Sequence, residues 1–297
     1  MIMLKQMLME MSRPILIPIT RYILSHYYKG NRPLSNVGHH KRVCILAPHM
    51  DDETIGLGGT IKLHAEHGAH VTCVFTSDGA NSTSVVRKDR LSNIRKQEME
   101  IVKEILGISR IEYMDLPDGD VKSTQDAQRT LQTILEDIQP DVIYCPPFVD
   151  AHLDHIGTTN LLQDTLAAMK IDKLPIRLYE VNCPIPPRYL NCLIDISSTF
   201  HAKQKAIEAF QSQQIAFDGF LELNRLKRKL VHNNNSKAVE GFFEMPAHDF
   251  IEGFNRIKAE TDQYPHLFKQ ANRTITLLWA IYRSEHKKQA IYEKITQ

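Results

Sequence analysis

The sequence predicts an α/β protein built on an open, doubly wound, mostly parallel sheet with helices on both faces. Two observations predict it. From Arg42 onward, short β-like runs alternate with helical stretches at the spacing of βαβ units. Two stretches dense in histidine and carboxylate, "PHMDDE" and "DAHLDH", each follow an apolar strand candidate and precede a helix. Open sheets of this class place their ligands at such positions.

The elements follow in order. "RVCILAP" (42–48) is the first strand, and an amphipathic segment from about Thr54 to His67 follows it. "HVTCVFTS" (70–77) is the second strand. "VVRKDRLSNIRKQEMEIVKEILG" (85–107) is a long helix stopped by Gly107. "RIEYMDL" (110–116) is the third strand, and Ser123 is the N-cap candidate of the helix after it. "DVIYCPP" (141–147) is the fourth, a helix runs from about Ile156 to Lys170, and "IRLYEVN" (176–182) is the fifth. Right-handed crossovers make this a Rossmann-like sheet, with the order 3-2-1-4-5 expected. From about Pro184 the pattern loosens. "NCLIDIS" is one more strand candidate, "FHAKQKAIEAFQSQ" a helix, "HNNNSK" (232–237) a surface loop, and the end a helical extension. The expected organisation is an N-terminal arm, 1–40, and one domain, 41–297, with a helical C-terminal extension from about 246.

The arm, "MIMLKQMLMEMSRPILIPITRYILSHYY", is apolar but broken by Lys5, Glu10, Arg13 and Arg21, and Pro14 and Pro18 are expected to interrupt any helix. No run in it reaches the roughly 18–20 uncharged apolar residues of a spanning helix. Packing on the domain or on a partner subunit is expected, which allows a homo-oligomer, with peripheral membrane contact as the other reading.

Charged residues make up 24% and apolar residues 42% of the 297, an ordinary soluble balance. Thirty-six basic residues nearly cancel thirty-five acidic ones, so net charge points to neither nucleic acid nor membrane. The five cysteines, Cys44, Cys73, Cys145, Cys183 and Cys192, form no CxxC pair. They read as buried free thiols of a reducing, cytoplasmic compartment.

The histidine–carboxylate stretches carry the chemistry. Strands 1 and 4 flank the switch point in the expected order, so the two loops should face each other. Several carboxylates desolvated together repel unless protons or a cation compensate. His49 and Asp52 are three residues apart, as are His152 and His155, so each pair can share a face of a turn. Three ligands drawn from His and Asp, with an open position for water, describe a catalytic zinc site. Asp51 and Asp52 cannot both point one way; one can hold metal while the other takes a proton. A dinucleotide loop fits poorly. Gly56, Gly58 and Gly59 come after the turn, and three carboxylates would repel a pyrophosphate. These glycines are expected to allow close helix–sheet packing.

At this point the sequence resembles the PIG-L/LmbE-like zinc-dependent deacetylases, which act on N-acetylglucosamine-type substrates. "APHMDDETIGLGGTI" is similar to the family's H-x-D-D-E block and "HLDH" to its H-x-D-H block. "FTSDGA" (75–80), "RKQEMEIVKEILG" (95–107), "KAIEAFQSQ" (205–213) and "AVEGFF" (238–243) extend the resemblance over roughly 41–245. Met50 and Leu153 stand where many members have proline. The resemblance implies His49, Asp52 and His155 as ligands of Zn2+, or of another divalent transition metal, since His/Asp sets suit several. It implies Asp51 as general base, and His152 as oxyanion stabiliser or proton donor to the leaving amine. Asp154 would orient and charge His152. Arg95 and Asp118 would contact substrate, an amino-sugar conjugate. The alternatives are a metal hydrolase of another amide or ester, and a non-catalytic carbohydrate-binding protein of the same fold. Intact Asp51 and His152 argue against the last.

Overall fold

The computed structural model describes residues 2–81, 88–213 and 216–297. Seven strands form one sheet: β1 (Arg42–Ala47), β2 (His70–Ser77), β3 (Arg110–Leu116), β4 (Val142–Cys145), β5 (Pro175–Tyr179), β6 (Cys192–Asp195) and β7 (Val239–Pro246). Their order is β3-β2-β1-β4-β5-β7-β6. The first five run parallel in the expected order, with β1 between β2 and β4. β7 and β6 then extend the sheet antiparallel. The sequence pattern did not anticipate β7. Its run "VEGFFEMP" is buried along most of its length, so it lacks the alternation that marks a half-exposed strand.

The helices are α1 (Ile2–Tyr27), α2 (Asp52–Glu66), α3 (Lys88–Leu106), α4 (Gln125–Ile138), α5 (Leu153–Met169), α6 (Phe200–Glu208), α7 (Asp218–Lys227), α8 (Ala247–Ile257), α9 (Tyr264–Leu267), α10 (Leu277–Tyr282) and α11 (Glu285–Ile295). The expected start of α3 at 85–87 lies outside the described residues. Two helices begin earlier than expected, and the shift matters for the site. α2 starts at Asp52, and α5 starts at Leu153 because His152 caps it, its side chain accepting the Asp154 N–H. The N-cap of α4 is Thr124, whose Oγ1 accepts from Ala127 N at 3.2 Å. Ser123 instead donates its hydroxyl to Asp164.

The arm departs most from expectation, because α1 runs through both prolines. Pro14 and Pro18 are exposed, so the carbonyls they leave unpaired can turn to water. Tertiary contacts hold the rest. Leu24 and Tyr28 are fully buried, and Arg21 makes a two-pronged bond to Glu222 of α7, both arms 2.8 Å. All five cysteines are free and buried.

Candidate metal centre

Adjacent strands β1 and β4 deliver the two motif loops to one end of the sheet. The loop after β1 is pinned from β2, where Ser77 donates its N–H (3.0 Å) and its hydroxyl (2.8 Å) to the Pro48 carbonyl. It then turns sharply. Asp51 has φ 143°, a backbone conformation that L residues rarely adopt and that costs about 1–3 kcal/mol. Its neighbours hold it there. Asp51 N donates to Glu53 Oε2 at 3.1 Å, and the Asp51 carbonyl accepts from Ile55 N at 2.8 Å. The turn sends the two adjacent carboxylates apart.

Asp52 goes to the histidines. Its Oδ2 lies 3.1 Å from His49 Nδ1 and 3.2 Å from His155 Nε2. The other nitrogen of His49, Nε2, lies 3.0 Å from Asp154 Oδ2 and 3.3 Å from Asp118 Oδ1. His152 completes a triangle of imidazoles, its ring 4.8 Å from His49 and 5.4 Å from His155. One ligand atom each from His49, His152 and His155 falls within 4.8 Å of the others, and so does one each from His49, Asp118 and Asp154. Arg95 is buried rather than solvated. Its Nη1 donates to the Gly79 carbonyl at 3.2 Å, and its Nε has no hydrogen-bond partner among the described residues.

The charges are strongly coupled. Burial disfavours the His49 cation, but the bonds to Asp118, Asp154 and Asp52 outweigh it and raise its pKa well above the usual imidazole value. Burial likewise works against the His155 cation, yet Asp150 and Asp52 push that group up to about 10. Asp52 is held far below the carboxylate range, because His155 and His49 outweigh its burial. Asp51 moves the other way, to about 7, through burial and the Asp52 charge, with Arg95 and His49 opposing. Adjacent carboxylates thus divide into one permanently charged and one able to accept a proton near neutrality. Buried Glu53 is raised to about 8 by burial first, with the Asp51 charge adding to it.

The donor set fits a divalent cation. Three buried carboxylates, Asp52, Asp150 and Asp154, and the half-buried Asp118 surround His49 and His155, and that much negative charge drawn out of water demands a compensating positive one. Asp150 Oδ2 and His155 Nδ1, 3.3 Å apart, are both buried, and among the described residues neither completes a hydrogen bond.

The Asp154 carboxylate, expected to orient and charge His152, lies nearer to His49 than to His152. It bonds His49 and accepts the N–H groups of Gly119 (2.8 Å) and Val121 (3.1 Å), and it stands 4.0 Å from His152 Nδ1. The physical reason is the cap, since His152 Nδ1 already accepts the Asp154 backbone N–H at 3.2 Å. Nor is His152 held as a cation. Burial, then the charges of His155 and His49, lower its pKa. Asp118 faces His49 from the inside of its turn and also accepts from Asn81 N at 2.7 Å.

Some residues matter that the sequence reading gave no role. Asp150 lies inside "DAHLDH", and its Oδ1 accepts from His152 N and Asn182 Nδ2, both at 2.9 Å, so it is fixed beside His155. Glu98 accepts from both the N–H and the hydroxyl of Ser212, at 2.7 Å each, and the next residue, Gln213, donates to the Met50 carbonyl at 2.8 Å. The "RKQE" and "FQSQ" segments therefore brace the metal loop. The glycines of α2 pack as expected: a Cβ on Gly56 would stand 2.3 Å from the Tyr179 ring, and one on Gly59 2.7 Å from Ile196.

The chain is similar to several known proteins. The PIG-L family profile, described as GlcNAc-PI de-N-acetylase, matches residues 44–166. The diacetylchitobiose deacetylase of Thermococcus kodakarensis is 28% identical over 204 residues, covering 63% of this chain and 74% of that protein. The N,N'-diacetylchitobiose deacetylase structure from Pyrococcus horikoshii, an inhibitor complex, superposes with a TM-score of 0.60 at 26% identity, covering 70% of this chain and 85% of that one. The 4-oxalmesaconate hydratase of Pseudomonas putida is 24% identical over 193 residues, covering 59% of this chain and 74% of that protein. The matched profile spans both motif loops, whose histidines and carboxylates meet at the switch point, so over residues 44–166 this chain is similar to the PIG-L family.

Proposed function

We propose that this protein hydrolyses the N-acetyl amide of an N-acetylglucosamine-type sugar or conjugate, releasing acetate and a free amine. One observation carries the reading: Asp52 lies between His49 and His155 while Asp51, its neighbour, is turned away by a backbone φ of 143°. His49, Asp52 and His155 would hold the cation, zinc being the ion such a set most often serves. When bound, a divalent ion supplies Lewis-acid polarisation of the amide carbonyl and a more acidic water.

The chain's own residues do the rest. Asp51 accepts a proton from the water whose oxygen attacks the carbonyl carbon. His152 takes the Asp154 N–H on Nδ1, so its neutral ring carries the proton on Nε2 and donates it as a hydrogen bond to the developing oxyanion. The C–N bond breaks and Asp51 returns its proton to the departing nitrogen. Asp118 and Asp154 hold the His49 ring, and Asp150 sits against His155, as outer partners of metal-binding imidazoles do. Arg95 lowers the charge cost around Asp51 and Asp118 from beneath the site.

The hydratase relative gives the reading its rival, since the same water and base could add across a carbon–carbon double bond. The test is a substrate panel with metal-quantified protein: N,N'-diacetylchitobiose, N-acetylglucosaminyl conjugates, a simple ester and an unsaturated oxo-dicarboxylate. Stoichiometric acetate and amine support the proposal. Hydration of the dicarboxylate without acetate release refutes it.

A further inference from the structure

We propose that the face formed by α1, α7 and α10 docks on an anionic lipid surface. One side of α1 turns inward: Thr20, Leu24 and Tyr28 are buried, and Arg21 is fixed by Glu222. The other side is apolar and open. Met11, Ile15 and Tyr22 are 68%, 67% and 68% exposed, with Leu16, Ile19 and Ile23 beside them. At helical spacing these six fall within an arc of about 140°, which also holds Ser12 and His26. Proteins that stay alone in water seldom leave such a stripe uncovered.

The surroundings of the stripe indicate what covers it. Arg21 and Ser25 stand at one edge, where a cavity of about 540 Å³ opens toward α7. Arg21, Arg225, Arg228, Lys229 and Lys237 line that cavity, against the single carboxylate of Glu222. At the other edge Tyr27 packs on Tyr282 of α10, ring centroids 5.6 Å apart. α10 exposes Trp279, and Lys269 and Arg283 lie over that indole at 5.7 and 5.3 Å. An apolar helix face flanked by Tyr, Trp and clustered cations is the arrangement that seats in a headgroup layer, with the apolar side chains among the acyl chains and the cations on phosphates. Pairing two copies through this stripe with α1 antiparallel would bring basic cavities of one sign together. Among the described residues no helix is long and apolar enough to cross a membrane, so α1 would lie along the surface.

Sedimentation of the full chain with phosphatidylcholine vesicles, with and without phosphatidylglycerol, tests the proposal. The wild type should bind the anionic vesicles at least about tenfold more tightly than the neutral ones, and lose that margin at high salt. Ile15→Glu/Ile19→Glu should abolish binding. Arg228→Glu/Lys229→Glu should remove the preference for anionic lipid. Both variants alter exposed side chains and should keep the wild-type thermal midpoint. Absence of wild-type binding to anionic vesicles, or equal binding by the variants, overturns the proposal. So does a wild-type dimer that Ile15→Glu/Ile19→Glu splits without any vesicle binding, which would assign the stripe to a second copy. The assay reads binding and not turnover, so its outcome is independent of the deacetylation proposal.

Discussion

Asp51 and Asp52 are the same residue type one peptide apart, and position alone gives them opposite electrostatics. Asp52 meets two imidazoles, whereas Asp51 meets burial and the charge of its neighbour. Asp51→Asn should keep the bound metal, measured by elemental analysis, while acetate release falls by a factor of about 10²–10⁴. Asp150→Asn should lower metal affinity by about ten- to hundredfold, read by competition with a chelator, and spare the turnover of metal-saturated protein. At this scale much of the site was legible. The identities and three-residue spacings of His49, Asp52, His152 and His155 already implied a shared centre. The partner of Asp154 was not legible. Its choice of His49 over His152 depends on the turn at 117–121, whose Gly119 and Val121 N–H groups aim the carboxylate, and on the cap that occupies His152 Nδ1. Neither can be read from spacing within "HLDH".

α2 carries Asp52 in its first turn and breaks one turn later, at Leu57, whose φ of −145° is not helical. The break strands backbone groups that other elements satisfy. Glu240 of β7 accepts the N–H groups of Gly59 (3.1 Å) and Thr60 (2.8 Å). Lys203 of α6 donates to the Ile55 carbonyl (2.7 Å) and pairs with Glu240 (2.6 Å), both side chains fully buried. Lys203→Met would leave Glu240 buried and charged without its cation, so urea unfolding should show a loss of about 3–5 kcal/mol. Gly56→Ala pushes a methyl into Tyr179 and should cost about 1–3 kcal/mol in the same measurement. The helix itself was legible from its amphipathic run. The break was not, because the three glycines permit it but only the residues of α6 and β7 stabilise it. The same holds for α1, where propensity argued against a helix and contacts with α7 maintain one.

For the whole molecule, the parallel half of the sheet followed from βαβ spacing, and its order alone brought the two motif loops together. The antiparallel extension did not follow, since β7, buried along most of its length, shows no period and inserts between β5 and β6, which both precede it in the chain. The folded chain concentrates buried carboxylates at one end of the sheet, so a bound cation should stabilise the entire domain. An ion at about a hundred times its Kd contributes about 2.7 kcal/mol. Stripping it with a chelator should therefore lower the thermal midpoint by several degrees, and His155→Ala should begin lower and show no response. The most direct measurement is acetate release from N,N'-diacetylchitobiose by metal-loaded wild type, alongside Asp51→Asn at equal metal content. If Asp51 is the base, the wild type should release one acetate per amine freed and the variant should lose nearly all of that release. Equal acetate release by the two proteins would contradict that role.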